Sequence, residues 1–199
     1  MPISVDKKLI FVHVPKNAGT AITNSVLSNF RDQGHHTATY YKNQYPKEWE
    51  SFYKFAVIRN PWDRVVSNYE YARMPVSYWH SADESRPYAA HFDYYTLKDK
   101  SFEECVNMLY QNKDSLRHQG WGTQKYWVCD SQDNLLIDKF FLQNNLEEND
   151  EFNKLIPDLE KVNQSDRKSS NYKDYYNQEL IDKVSEIYKE DIKLFNLTY

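Results

Sequence analysis

Two short segments carry residue types suited to holding a small anion. Pro15-Lys16-Asn17-Ala18-Gly19-Thr20 follows one apolar run and precedes a helical one. A turn from a buried strand into a helix presents free N–H groups and the positive end of the helix dipole, which suits a phosphate. Gly19 lets backbone approach the ligand, Lys16 supplies a mobile positive charge, and Thr20 adds a hydroxyl at the helix start. An ordinary strand-to-helix turn capped by Thr20 explains this segment alone about equally well. The nucleotide triphosphatase loop, G-x-x-x-x-G-K-[ST], fits poorly. Its first glycine is missing, and Lys16 precedes Gly19 instead of following it, which disfavours an ATPase or kinase of that type.

The second segment, FAVIRNPWDRVVSNYEYAR, places Arg59 at the end of an apolar run and Pro61 at the first turn of a helix, with Ser67 two turns along. An arginine at a strand's C-terminal end can offer a forked guanidinium to a phosphate. Ser67 can add a hydroxyl if the helix passes beside it. The plainer alternative gives Arg59 and Arg64 structural ion pairs with Asp63 and leaves Ser67 on a helix surface.

The elements that must position these residues follow from periodicity. Leu9–Val14 (LIFVHV) and Phe52–Ile58 (FYKFAVI) predict buried strands, each followed by a helix carrying apolar residues at helical spacing. His36–Tyr41 (HTATYY) and Asn134–Leu142 (NLLIDKFFL) predict two more strands. Ser101, with Glu104 three residues on, is a capping box opening a helix. Leu146–Leu155 reads as a short acidic helix and Asn177–Phe195 as one long amphipathic helix. Residues 74–100 are polar, aromatic and irregular, as expected of a lid or acceptor-facing excursion. Strands alternating with helices, without a linker or repeat, predict a single α/β domain over residues 1–199 with a mostly parallel sheet.

Taken together, PKNAGT and IRNPWDRVVSNY resemble the two signature segments of the sulfotransferases that use 3′-phosphoadenosine 5′-phosphosulfate (PAPS). The likeness is to the carbohydrate enzymes of the heparan sulfate 2-O-sulfotransferase type and their bacterial relatives, sulfotransferase family 2. SFEECV, Gln124–Tyr126, IDKFFLQNNLEENDEF and the ending VNQSDRKSSNYKDYYNQELIDKVSEIYKEDIKLF fall in that family's order. The resemblance implies a three-layer α/β fold like the nucleotide kinases, with a central, mostly parallel sheet flanked by helices. It implies that Pro15, Lys16, Asn17, Ala18, Gly19 and Thr20 cradle the 5′-phosphosulfate, and that Arg59 and Ser67 bind the 3′-phosphate. It places a basic loop, Arg167-Lys168, over that same phosphate. The implied chemistry is in-line transfer of a sulfuryl group from PAPS to an acceptor hydroxyl on a glycan or small molecule, with no metal. No segment of these residues reads as the membrane anchor and stem of the Golgi members, so none is expected, and the 74–100 excursion matches no particular segment of the family.

Transfer needs a proton acceptor with a pKa near working pH, which histidine supplies unaided. His36 is the expected base, the resemblance suggesting a histidine in this stretch; His35, Glu70 and His91 are the alternatives. His13, inside an apolar strand, is expected to be a satisfied core residue, and His80 and His91 flank the excursion. Tyr88, Phe92, Tyr94 and Tyr95 suit either sugar stacking or the core.

Composition narrows the remaining classes. The chain has 199 residues and a formal net charge of −4, which argues against broad nucleic-acid coating while leaving room for a local basic pocket. With 10 Phe, 5 Trp and 17 Tyr, the core must lean on rings. Cys105 and Cys129 make neither a disulfide framework nor a zinc site. No apolar run spans a membrane and the N-terminus has no secretory pattern, so a soluble, cytoplasmic protein is expected. Two rivals to the sulfotransferase reading stand: a small-molecule or nucleoside kinase of the same architecture, and a non-catalytic nucleotide-binding module.

Overall fold

The computed structural model describes residues 3–26, 30–31, 34–76, 91–157, 159 and 169–199. The strands are β1 (Ile3–Ser4), β2 (Leu9–Val12), β3 (Phe30–Arg31), β4 (Tyr53–Ile58) and β5 (Lys139–Leu142). The α-helices are α1 (Gly19–Val26), α2 (Ala38–Gln44), α3 (Pro46–Ser51), α4 (Pro61–Ala72), α5 (Tyr94–Leu97), α6 (Phe102–Gln111), α7 (Lys125–Val128), α8 (Asp150–Leu155), α9 (Gln178–Ile187) and α10 (Lys189–Phe195). The fold is mixed α/β with a central, mostly parallel sheet accompanied by helices. Its contacts fall into two compact units, residues 1–59 with 123–162 and residues 60–122 with 163–199.

The first unit holds the sheet, in the order β3-β1-β2-β4-β5. β2, β4 and β5 run parallel, with Val12 opposite Ala56 and Ile58 opposite Leu142. Two short antiparallel strands, β1 and β3, extend the β2 edge. Every residue of β2 is buried, as are Phe55–Ile58 of β4, which is why these segments read as unbroken apolar runs instead of alternating ones. Phe11, Phe55, Phe141 and Phe152 pack together with Leu9, Ile22 and Ile156 on one face. Because β2 and β4 are parallel neighbours, the turns leaving their C-terminal ends emerge side by side.

The second unit is helical. Its core joins Trp62, Val65, Val66 and Tyr69 of α4 to Phe102, Val106 and Leu109 of α6 and Leu180, Val184 and Ile187 of α9. The Ser101 capping box is present: Glu104 N–H donates to Ser101 Oγ at 3.2 Å, and Ser101 N–H donates to the Glu104 carboxylate at 2.8 Å.

Three expected elements differ. The 36–41 segment is not a strand: Thr37 caps α2, accepting from Tyr40 N–H, and Ala38 and Tyr41 fall three apart on the buried side. The β propensity of Thr and Tyr, being largely a packing effect, yields to that cap. The strand expected over 134–142 is ordered as a strand only from Lys139, because Asp130 accepts from the N–H groups of Gln132 and Asn134 and holds the preceding residues in a turn. The long C-terminal helix breaks at Tyr188, which is 2% exposed, has φ −111° and ψ 24°, and donates its hydroxyl to Trp121 O at 2.8 Å. Among the described residues no helix is long and apolar enough to cross a membrane.

Candidate active site

The PKNAGT turn leaves β2 and enters α1 within the first unit. Lys16 (φ 70°) and Ala18 (φ 59°) both occupy left-handed backbone without being glycine, on either side of Asn17. Each such residue is strained. Two such residues so close together bend the chain sharply between β2 and α1. The α1 N-terminus adds first-turn N–H groups with no partner inside the helix. Gly19 is required for space: a Cβ there would lie 1.7 Å from His13 Nε2, so the backbone passes directly over the imidazole. Thr20 is half-buried at the second position of α1. Thr23, one turn on, donates its hydroxyl to Gly19 O at 2.6 Å.

Arg59 lies one residue beyond β4 and is 8% exposed. Its Nη1 donates to the Lys16 carbonyl at 3.0 Å, so the arginine of the second motif bonds the backbone of the first. Lys16, Asn17, Gly19 and Arg59 are thus brought together within one unit.

Gln124 is the residue that sequence reasoning missed as a site residue. It is fully buried, and its Oε1 accepts from Arg59 N–H at 2.9 Å and from Asn17 Nδ2 at 2.6 Å. Its Nε2 donates to Arg59 O at 2.8 Å. Asn17, also fully buried, spends its second amide hydrogen on Val57 O at 2.7 Å. A lone glutamine has no charge or diagnostic spacing; the available signal was an amide set between Trp121 and Trp127 in an otherwise ring-rich stretch.

His13 is buried, stacks on Phe11 at 5.5 Å, and lies 4.1 Å from the His35 ring. Burial, and next the neighbouring His35, hold its pKa well below the ordinary histidine value. His35 Nδ1 lies 3.3 Å from His13 O, and burial lowers its pKa despite that contact. Both rings are therefore neutral at neutral pH. His36 is half-exposed and stacks face to face on Tyr40 at 3.9 Å, which fixes its ring at the entry to α2.

The second unit carries the rest. Ser67 is 4% exposed on α4, so it is not a surface residue. Arg64, also buried, donates to Gly122 O at 2.7 Å. Glu70 accepts the Tyr175 hydroxyl at 2.6 Å. His91 is buried with its ring 4.6 Å from that of His118, and its Nδ1 accepts from Asp93 N–H. Phe92 and Tyr95 are exposed, and Tyr94 half-buried. Arg167, Lys168, His80 and Tyr88 lie outside the described residues. Among the described residues no group of three or more His, Cys, Asp or Glu side chains is placed to hold a metal ion.

A strand-to-helix turn carrying a lysine, with an arginine from the next parallel strand, can bind an anion and stabilise charge developing on it. The comparison with known families agrees with that chemistry. A family model described as "Sulfotransferase family" matches residues 2–199. No curated protein and no solved structure matches the chain. A match over virtually the whole length, covering both motifs and the ending, settles the class: the chain belongs to the sulfotransferase family and is a sulfotransferase.

Proposed function

We propose that the sulfuryl donor is PAPS, that the acceptor is a carbohydrate hydroxyl, and that residues 1–199 work as one catalytic domain. The observation that carries the donor assignment is the Arg59 Nη1 to Lys16 O hydrogen bond, which joins the two motif segments into one cationic corner. The residues fit such a donor. The turn at 16–18 and the α1 N-terminus suit a 5′-phosphosulfate, and Gly19 lets the backbone pass directly over the His13 ring. When bound, PAPS supplies an activated sulfuryl group on a phosphate leaving group.

The protein's part is positioning and electrostatics. Lys16 neutralises charge that builds on the leaving 5′-phosphate. The 16–20 backbone holds that phosphate in place, Pro15 setting the entry to the turn. By the family likeness we assign the 3′-phosphate to Arg59 and Ser67, with Arg167 and Lys168 adding positive charge. An acceptor-binding role for residues 74–100 is supported by the exposure of Phe92 and Tyr95. His36 removes the acceptor proton; its half-exposed ring, braced by Tyr40, supports this choice. A second reading gives that role to His35, because it touches His13, the ring beneath Gly19.

Ligand-induced stabilisation tests the donor assignment. Adenosine 3′,5′-bisphosphate should raise Tm more than adenosine 5′-phosphate does, and Arg59→Ala should erase the difference. A larger rise with ATP and magnesium than with the bisphosphate would overturn the assignment. His36→Ala and His35→Ala, compared for transfer with donor binding retained, assign the base to whichever variant is inactive.

A further inference from the structure

We propose that Gln124 is a positioning residue of the reaction: its carboxamide clamps the donor turn, through Asn17, to the backbone of Arg59. The proposal rests on the donor reading above for its consequence in catalysis, but not for its geometry.

The hydrogen bonds admit only one orientation of the two amides. Val57 O and Arg59 O can only accept, so Asn17 Nδ2 and Gln124 Nε2 must face them. Arg59 N–H can only donate, so Gln124 Oε1 must face it. Both Asn17 amide hydrogens are then used, on Val57 O and Gln124 Oε1, and both Oε1 lone pairs are used, on Arg59 N–H and Asn17. No other assignment of oxygen and nitrogen satisfies these contacts.

The place of this network gives its purpose. The β4 ladder ends at the Ile58–Leu142 pair, so the Arg59 backbone lies just beyond the last strand neighbour. Gln124 bonds both the N–H and the C=O of Arg59, as a further strand residue would. The same side chain holds Asn17, between the two left-handed residues Lys16 and Ala18. Burying two amides carries a desolvation cost that these hydrogen bonds must offset. What the amides add is a fixed register between the residue carrying the Lys16 carbonyl and the residue carrying the Arg59 guanidinium. Misplacement by about 1 Å can cost on the order of 10² in rate.

Gln124→Glu makes the test. A carboxylate would face Arg59 O and repel it, whereas the protonated acid donates there and restores the glutamine pattern. Burial raises a carboxyl pKa, which brings that switch toward the assay range. With fold checked by near-UV circular dichroism, turnover from PAPS should fall at least about tenfold at pH 8 relative to wild type. It should recover toward wild type at pH 6. A wild-type pH profile in the folded variant would overturn the proposal. Should Gln124→Glu fail to fold, Asn17→Ala removes the clamp from its other end, and the same fall in turnover is expected with the near-UV circular dichroism of the folded protein retained.

Hydrogen exchange, which needs no substrate, separates this claim from the donor reading. The Arg59 amide and the 16–20 amides should exchange at least about tenfold faster in Gln124→Leu, with β2 and β5 amides unchanged. Uniform acceleration, or none, would overturn the clamp even if PAPS proves to be the donor. Selective acceleration would uphold it even if PAPS does not.

Discussion

In the first unit the buried amides gather at one place, where Asn17, Gln124 and the backbone of Arg59 meet beyond the end of β4. In the second unit the buried polar groups are spread over α4, α10 and the segment around Asp93. Tyr69, Tyr176 and Tyr188 donate their hydroxyls to Lys100 O, Trp62 O and Trp121 O, and Asp93 accepts from the N–H groups of Arg117, His118 and Trp121. The first arrangement fixes a turn with strained backbone against a strand end; the second ties connecting segments to a ring-rich core. On the proposed reading, the first kind of buried polarity serves ligand geometry and the second serves cohesion. Substitutions at the Asn17–Arg59–Gln124 cluster should therefore cost activity out of proportion to stability, and those at the Asp93 and tyrosine hydrogen bonds the reverse.

The largest effect expected on the first side is that of Lys16→Ala. Turnover should fall about 10²–10³-fold with Tm near wild type, because the charge is needed most as the leaving phosphate develops its own. Undiminished turnover in a folded variant would break the comparison. On the other side, Asp93→Ala leaves three N–H groups of a buried site without an acceptor. A loss of about 3 kcal/mol in urea unfolding is expected, with donor affinity of the folded protein little changed. If donor affinity falls instead while unfolding is unaffected, the two units have been assigned the wrong way round.

A graded effect comes from pH. His13 and His35 have folded-state pKa values lowered from 6.5, so the unfolded chain takes up protons before the folded one as pH falls. Their contribution to stability is full above about 6.5 and is lost as pH drops below it. Tm should therefore fall between pH 7.5 and 5.5, and His35→Gln should flatten that slope. An unaltered slope would show that other groups govern it. The smallest effect is that of Tyr188→Phe, which should cost about 1 kcal/mol, measured by the same urea titration, and leave turnover unchanged.

Much of this division was legible in the sequence. The strands β2 and β4 appear as apolar runs because they are buried on both sides, and the turn after each follows from PKNAG and NP. The Ser101 box is visible because its reciprocal bonds require those two residue types at that spacing. What stayed hidden was of two kinds. The α2 helix was masked by Thr and Tyr, whose preferences depend on what they pack against, and the break at Tyr188 arises from a hydroxyl reaching Trp121, distant in sequence. Likewise Lys16, Gly19 and Arg59 could be picked out from their motifs, but Gln124 becomes visible only once the strand ends bring residues 17, 59 and 124 together. Nor does composition reveal that Gly19 is needed for the ring of His13 beneath it.

The central claim, that a 3′-phosphorylated donor is read by the corner joining Lys16 and Arg59, is tested most directly by single-turnover transfer of labelled sulfate to a carbohydrate pool. Wild-type protein should transfer label from PAPS much faster than from adenosine 5′-phosphosulfate. Arg59→Ala should bring the two rates together, and Lys16→Ala should abolish both. Equal rates from the two donors in the wild-type protein would contradict the account.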